Sequence, residues 1–235
     1  MTGRWGTMLL MIATGCGSTR LEAAPGDRSP SIEVKPIAHE AICVTKGEIT
    51  NAAITGPTVR AFALGATGDA AQLTFTFRGE TDTTRDLASG EARRQVGLKL
   101  RAEDSCNVVY VMWRLDPKPK LSVSVKRNRG QRTHEECGAN GYIKVKPIKS
   151  SSVPYLEVGA THRLRAEIVG DELVAWIDGK IAWQGHLPDD ARDMTGPAGI
   201  RSDNLKLDGL ELATPHGTGP AERDLPACKR HEHDD

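Results

Sequence analysis

Side chains that alternate apolar and polar one by one are sorted onto two faces only by an extended backbone. This chain repeats that pattern in short bursts through its middle. "QLTFTFRG" sets Leu73, Phe75 and Phe77 against Thr74, Thr76 and Arg78. "RQVGLKLRAE" sets Val96, Leu98 and Leu100 against Gly97, Lys99 and Arg101. "KLSVSVKRN" sets Leu121, Val123 and Val125 against Ser122, Ser124 and Lys126, and "HRLRAEIVG" sets Leu164, Ala166 and Ile168 against Arg163, Arg165 and Glu167. "NVVYVMWRL" is β-forming on both faces, as a central strand is, and "DPKP" turns the chain after it. The nearest helical candidate, "TTRDLASGEARRQ", is interrupted by a glycine. Short strands separated by turn residues predict an all-β fold, a sandwich of two antiparallel sheets.

The stretch "GDELVAWIDGKIAWQG" carries two tryptophans around an Asp-Gly step. Asp178-Gly179 suits a two-residue hairpin, because both turn positions need positive φ. That register places Trp176 opposite Ile181 and Val174 opposite Trp183, all on one face. Four apolar residues on one face read as core rather than as a ligand platform.

The ends read differently. "MTGRWGTMLLMIATGC" has one basic residue, a short apolar run and a small-residue ending, the layout of a secretory signal over residues 1–15. Its close, Ala13-Thr14-Gly15-Cys16, resembles a bacterial lipobox, which makes Cys16 the lipid attachment point. Residues 16–40 are rich in Pro, Ser and Gly and read as a tether, residues 41–213 as the sandwich, and residues 214–235 as an irregular tail. The expected location is the bacterial cell envelope, membrane-anchored, or else secreted. The five cysteines support export: acylation of Cys16 leaves Cys43, Cys106, Cys137 and Cys228, four residues with three pairings. Cys137 lies within loop reach of Cys106, and Cys43 and Cys228 bracket the domain, so Cys106–Cys137 and Cys43–Cys228 are the expected bridges. No CxxC spacing is present, which argues against a thiolate metal site.

Two segments carry a family resemblance. "THRLRAEIVGDELVAWIDGKIAWQGHLPDDARDMTGPAGIRSDNLKLDGLEL" resembles the closing meander of concanavalin A-like, laminin G-like jelly rolls, and in particular the 3-keto-disaccharide hydrolase-like group. "LKLRAEDSCNVVYVMWRLDPKPKLSVSVKRNRGQ" resembles the middle hairpin of the same group. The resemblance covers about half of the domain and implies a single jelly-roll sandwich. Its hydrolytic members carry an NSGxxxR-like strand; the corresponding "SCNVVYVMWR" lacks Ser-Gly, and only Arg114 carries over. Related glycanases use Glu-x-Asp-x-x-Glu on one strand, whereas the closest run, Glu80 to Arg85, ends in arginine and lacks a second acid/base partner.

Other clusters read as solvated chain. "THEEC", with His134, Glu135 and Glu136, reads as a polar loop, and "KRHEHDD" as a frayed terminus. There is no GxSxG elbow and no phosphate-cradling glycine loop, so no catalytic residue, metal or cofactor is expected.

Charge is the remaining clue. The chain carries 31 Lys and Arg against 31 Asp and Glu, which argues against a nucleic-acid partner. The balance is uneven: residues 93–149 hold 14 basic residues against 5 acidic. Lys99, Arg101, Arg114 and Lys126, with Ser122 and Ser124 beside them, are the expected ligand residues of a positive groove. The partner is then a glycan, acidic or neutral, and the membrane is met only through the lipid anchor. The leading expectation is a non-catalytic envelope binding or adhesion module. A glycoside-processing hydrolase and a structural protein that binds only protein are the alternatives.

Overall fold

The computed structural model describes Met1 and residues 28–215. Among them, fourteen strands form two seven-stranded antiparallel sheets, a jelly-roll-like sandwich. The first sheet runs, edge to edge, β1 (Lys35–Pro36), β14 (Leu205–Thr214), β4 (Ala70–Glu80), β10 (Thr161–Val169), β11 (Glu172–Ile177), β12 (Lys180–His186) and β9 (Lys149–Ser150). The second runs β2 (Ile42–Lys46), β3 (Thr58–Ala63), β13 (Gly199–Asp203), β5 (Gln95–Leu100), β6 (Val108–Arg114), β7 (Lys120–Lys126) and β8 (Tyr142–Val145). The one α-helix among the described residues is the single turn α1 (His134–Cys137), inside the segment expected as a loop. A reciprocal capping box between Thr133 and Glu136 makes that turn viable, since two orphan N–H groups find partners at once.

Alternation decides the layers. Leu73, Phe75 and Phe77 of β4 face Val109, Val111 and Trp113 of β6 across the sandwich, in one buried cluster with Leu164, Ala166 and Ile168 of β10. Phe75 meets Trp113 edge to face, with ring centroids 6.1 Å apart. The β11–β12 hairpin turns at Asp178-Gly179, where φ is +50° and +81°, as that turn demands.

The hairpin register differs from expectation beyond its first two pairs. Trp176 does face Ile181, but Ala175, not Val174, faces Trp183, because Ala182 bulges out of the ladder. One extra residue flips every later side chain to the other face. Trp183 therefore enters the core between the sheets, whereas Trp176 lies on the outer face of the first sheet. Both are buried, at 1% and 2% exposure, but by different partners. Trp176 is covered by residues 28–32, which the composition assigns to a tether. Its indole N–H donates to Arg28 O (3.1 Å). Beside it, buried Glu167 accepts from Ser31 N, Ser31 Oγ and Ile32 N at 3.0–3.1 Å. Pro36 then pairs with β14. The folded unit thus extends N-terminal of residue 41.

Cys106 and Cys137 are bridged, with Cα atoms 5.9 Å apart. Cys43 is also disulfide-bonded. Its expected partner Cys228 lies outside the described residues, as do the signal segment and Cys16.

Candidate functional site

The outer face of the second sheet is not apolar. On β5, β6 and β7 one set of alternate residues fills the core, which turns Gln95 and Lys99, Tyr110, Met112 and Arg114, and Ser122, Ser124 and Lys126 outward. The registers align these into rows. Phe62 and Lys99 both pair with Gly199, and Lys99 pairs on its other side with Tyr110, which pairs with Ser124. In the next row, Arg201 pairs with Arg60 and with Gly97, and Gly97 with Met112. Gly199 brings no side chain between Phe62 and Lys99. The Lys99 ammonium therefore reaches over the Phe62 ring, 3.2 Å from its centroid.

Segments 85–93 and 132–139 wall this floor, leaving a groove of about 770 Å³. Ten lining residues are Lys or Arg, and Asp86 is the one carboxylate lining it among the described residues. Three aromatic rings join them. Tyr110 and Tyr142 stack with centroids 6.2 Å apart, and the Arg201 guanidinium lies 4.8 Å from the Tyr110 ring centre. No group of three or more His, Cys, Asp or Glu is placed to hold a metal ion among the described residues.

The sequence-derived residues divide. Lys99, Arg114, Ser122, Ser124 and Lys126 all line the groove. Arg101 does not. The strand ends at Leu100, and Arg101 takes a left-handed backbone (φ +45°), which breaks the alternation that would have placed it beside Lys99. It instead bonds Asp69 (2.6 Å) and Ala191 O (3.2 Å). Lys126 lines the groove, but its ammonium is held by Ser105 O (3.2 Å) and Gly138 O (2.8 Å), and lies 3.0 Å from Cys137 Sγ. It fastens α1 and the disulfide loop to the sheet. Burial, then Arg201, lowers the Lys126 pKa. Arg114 is half-buried, and burial followed by the charge of Arg93 lowers its pKa.

The electrostatic centre consists of residues that alternation alone does not single out. Asp203, 1% exposed, accepts from Arg60 Nη2 (2.5 Å), Arg201 Nε (2.9 Å) and Gln95 Nε2 (2.6 Å). Burial works to raise its pKa, but Arg60 and Arg201 outweigh burial and hold it below the ordinary carboxylate range. Lys99, 2% exposed, has no hydrogen bond or ion pair among the described residues. Burial, then repulsion from Arg60 and Arg201, depresses its pKa well below the lysine range. The nearby carboxylate of Asp104 is already occupied by Cys106 N (2.7 Å) and by Asn107 N (2.8 Å) and Nδ2 (2.9 Å). "TVRAF" and "GIRSD" each present one arginine at the outward phase of a short strand, the signal that points to Arg60 and Arg201.

No protein-family model matches the chain, and no curated protein matches it. Solved structures match its fold. A carbohydrate-binding module, CBM66 from Bacillus subtilis, superposes with a TM-score of 0.50 at 11% identity, over 74% of this chain and 92% of that one. CG-16, a homodimeric agglutinin from chicken liver, gives 0.41 at 8% identity, over 66% and 98%. A tetrameric galectin from the ball sponge Cinachyrella sp. gives 0.39 at 13% identity, over 72% and 96%.

Proposed function

We propose that this chain is a non-catalytic binding module that holds an acidic glycan in the groove on its second sheet. The observation that carries the reading is the lining itself, ten Lys and Arg side chains against one carboxylate around a floor that includes aromatic rings. Long-range attraction draws an anionic chain to such a surface, and rings give sugar faces an apolar support. A two-carboxylate glycosidase mechanism needs a pair of carboxyl groups flanking the bond, and Asp86 has no partner along the described lining. The likeness to a carbohydrate-binding module is in keeping with a sandwich that presents a glycan site.

The lipobox-like ending at Cys16 adds a place: an envelope lipoprotein tethered at its N-terminus. Residues 28–32 dock on the outer face of the first sheet, opposite the groove. Cys16→Ser is expected to release the protein or leave it unprocessed. An unlipidated Cys16 in a cleaved mature chain removes the anchor from the proposal.

The test of the binding reading is a glycan array followed by titration at increasing salt. Acidic polysaccharides should bind and neutral ones should not. Affinity should fall steeply as salt shortens a Debye length of about 8 Å at physiological strength. Charge reversal at exposed Lys144 or at Arg114 should weaken binding more than Trp176→Phe, which lies on the far face. Salt-independent binding of neutral sugars would refute the reading.

A further inference from the structure

Resting on that reading, we propose that the groove contains a dedicated carboxylate subsite, formed by Lys99 Nζ and the terminal nitrogens of Arg201, that selects uronate residues. The charge count points to it. Arg60, Arg201 and Lys99 share one patch of the floor, and Asp203 is the carboxylate bonded there. With every group ionised the patch carries an excess of two positive charges. Arg60 Nη1 is held by Val59 O (2.7 Å) and Ser202 O (3.0 Å), and its Nη2 by Asp203. Arg201 bonds Asp203 through Nε, and no carboxylate hydrogen-bonds its terminal nitrogens among the described residues. Lys99 has only the Phe62 ring. The Lys99 side chain is buried and its ammonium opens onto the groove with no protein acceptor among the described residues, so an anionic ligand atom would complete it.

The spacing suits a small planar anion. Gly199 pairs with Lys99 and Arg201 with Gly97, so Lys99 and Arg201 are diagonal neighbours on adjoining strands. Such positions lie about 7–8 Å apart, within reach of two long side chains closing on one group. The terminal nitrogens of a guanidinium form a planar fork that matches a carboxylate, and the ammonium adds a further donor; the Tyr110 hydroxyl, which bonds Arg201, lies at the same edge. Phe62 and Tyr110 lie under the two cations, and Tyr142, 46% exposed and stacked with Tyr110, provides apolar surface for the sugar ring that carries the acid.

The subsite couples binding to a proton. In the free protein, burial and the two arginines disfavour charge on Lys99. A bound carboxylate favours it. Between the depressed free value and the ordinary lysine value, binding draws a proton onto Lys99, and affinity falls as pH rises through that window. Burial, Arg60 on β3 and Arg201 on β13 disfavour the charge and Asp104 between β5 and β6 favours it; Asp203 on β13, Tyr110 on β6, Lys126 on β7 and His134 on α1 are the other titratable groups around the patch.

The experiment is titration calorimetry on the full chain. The ligands are a galacturonic-acid oligomer, the same oligomer methyl-esterified, and a sulfated neutral oligomer, each in two buffers of different ionisation enthalpy. The acid should bind best, with proton uptake. Lys99→Met should weaken it by about tenfold or more, the scale of a charge-assisted hydrogen bond, and abolish the uptake. Its melting temperature should hold or rise, because the ammonium it removes has no hydrogen-bond or ion-pair partner among the described residues and methionine keeps an apolar contact with the Phe62 ring. Arg201→Lys keeps a cation near Asp203 but loses the fork, and should narrow the preference for acid over ester. The subsite is overturned if acid and ester still differ as before in folded Lys99→Met, if the sulfated oligomer is preferred, or if no proton is taken up at any pH up to about 10, the ordinary lysine range. Salt-sensitive binding that ignores both variants overturns the subsite alone. Failure of every acidic ligand overturns the wider reading with it.

Discussion

Asp203→Asn tests the electrostatic centre of the groove. The substitution keeps the shape and an acceptor for Gln95, and removes the one charge that balances Arg60 and Arg201. Asp203 is 1% exposed, and its arginine partners have side chains 18% and 10% exposed, so solvent screens the pairs little. Breaking such a buried pair from one side leaves its partners uncompensated, a loss of about 3–5 kcal/mol. At about 2–4 °C per kcal/mol for a domain of this size, the melting temperature should drop by roughly 6–20 °C. The pH dependence gives a second reading. The Asp203 carboxyl is held below its usual range in the folded chain, where Arg60 and Arg201 outweigh burial. Its stabilisation is therefore fully present above the unfolded value of about 3.9, and is lost as pH falls through the folded value. The gap between wild type and variant should be constant near neutrality and close in acid below about pH 4. Urea denaturation at stepped pH measures both. A gap under about 1 kcal/mol that does not change with acid would show the pairs behaving as surface ion pairs, and would refute the reasoning.

Three further expectations concern the wall of the site, the core and the opposite sheet. Replacing Cys106 and Cys137 with serine opens a loop with a sequence separation of 31, a loss of about 3–4 kcal/mol in the chain-entropy view. It should also free Lys126 and loosen the wall at 132–139, read as faster amide exchange there; unchanged exchange would mean that Lys126 and the capping box hold the wall unaided. Between the sheets, Trp183→Ala should cost about 3–5 kcal/mol as a core cavity. Glu167→Gln should instead speed exchange at Ser31 and Ile32 while leaving global unfolding nearly unchanged. A global loss as large as that of Trp183→Ala would show that residues 28–32 belong to the cooperative core.

Much of the groove can be read from local pattern. The alternation of "VGLKL" and "LSVSVK" is enough to put Lys99 on one phase and Ser122, Ser124 and Lys126 on another strand's matching phase, because side-chain direction in a strand is a property of consecutive residues. Asp178-Gly179 specifies its turn in the same local way, and the Cys106–Cys137 expectation comes from one cysteine before a hairpin and another within loop reach after it. What the alternation leaves open is adjacency. Arg60 and Arg201 lie 141 positions apart and meet Lys99 only because β13 inserts between β3 and β5. Nothing in either short strand encodes that neighbour. Single-residue irregularities also escape the pattern. The bulge at Ala182 sends Trp183 inward and leaves Trp176 to residues 28–32, and the left-handed turn at Arg101 removes it from the groove. A period of two carries no memory of where it is interrupted, so one extra or one twisted residue reassigns a face, and only the packing of the two sheets decides where that happens.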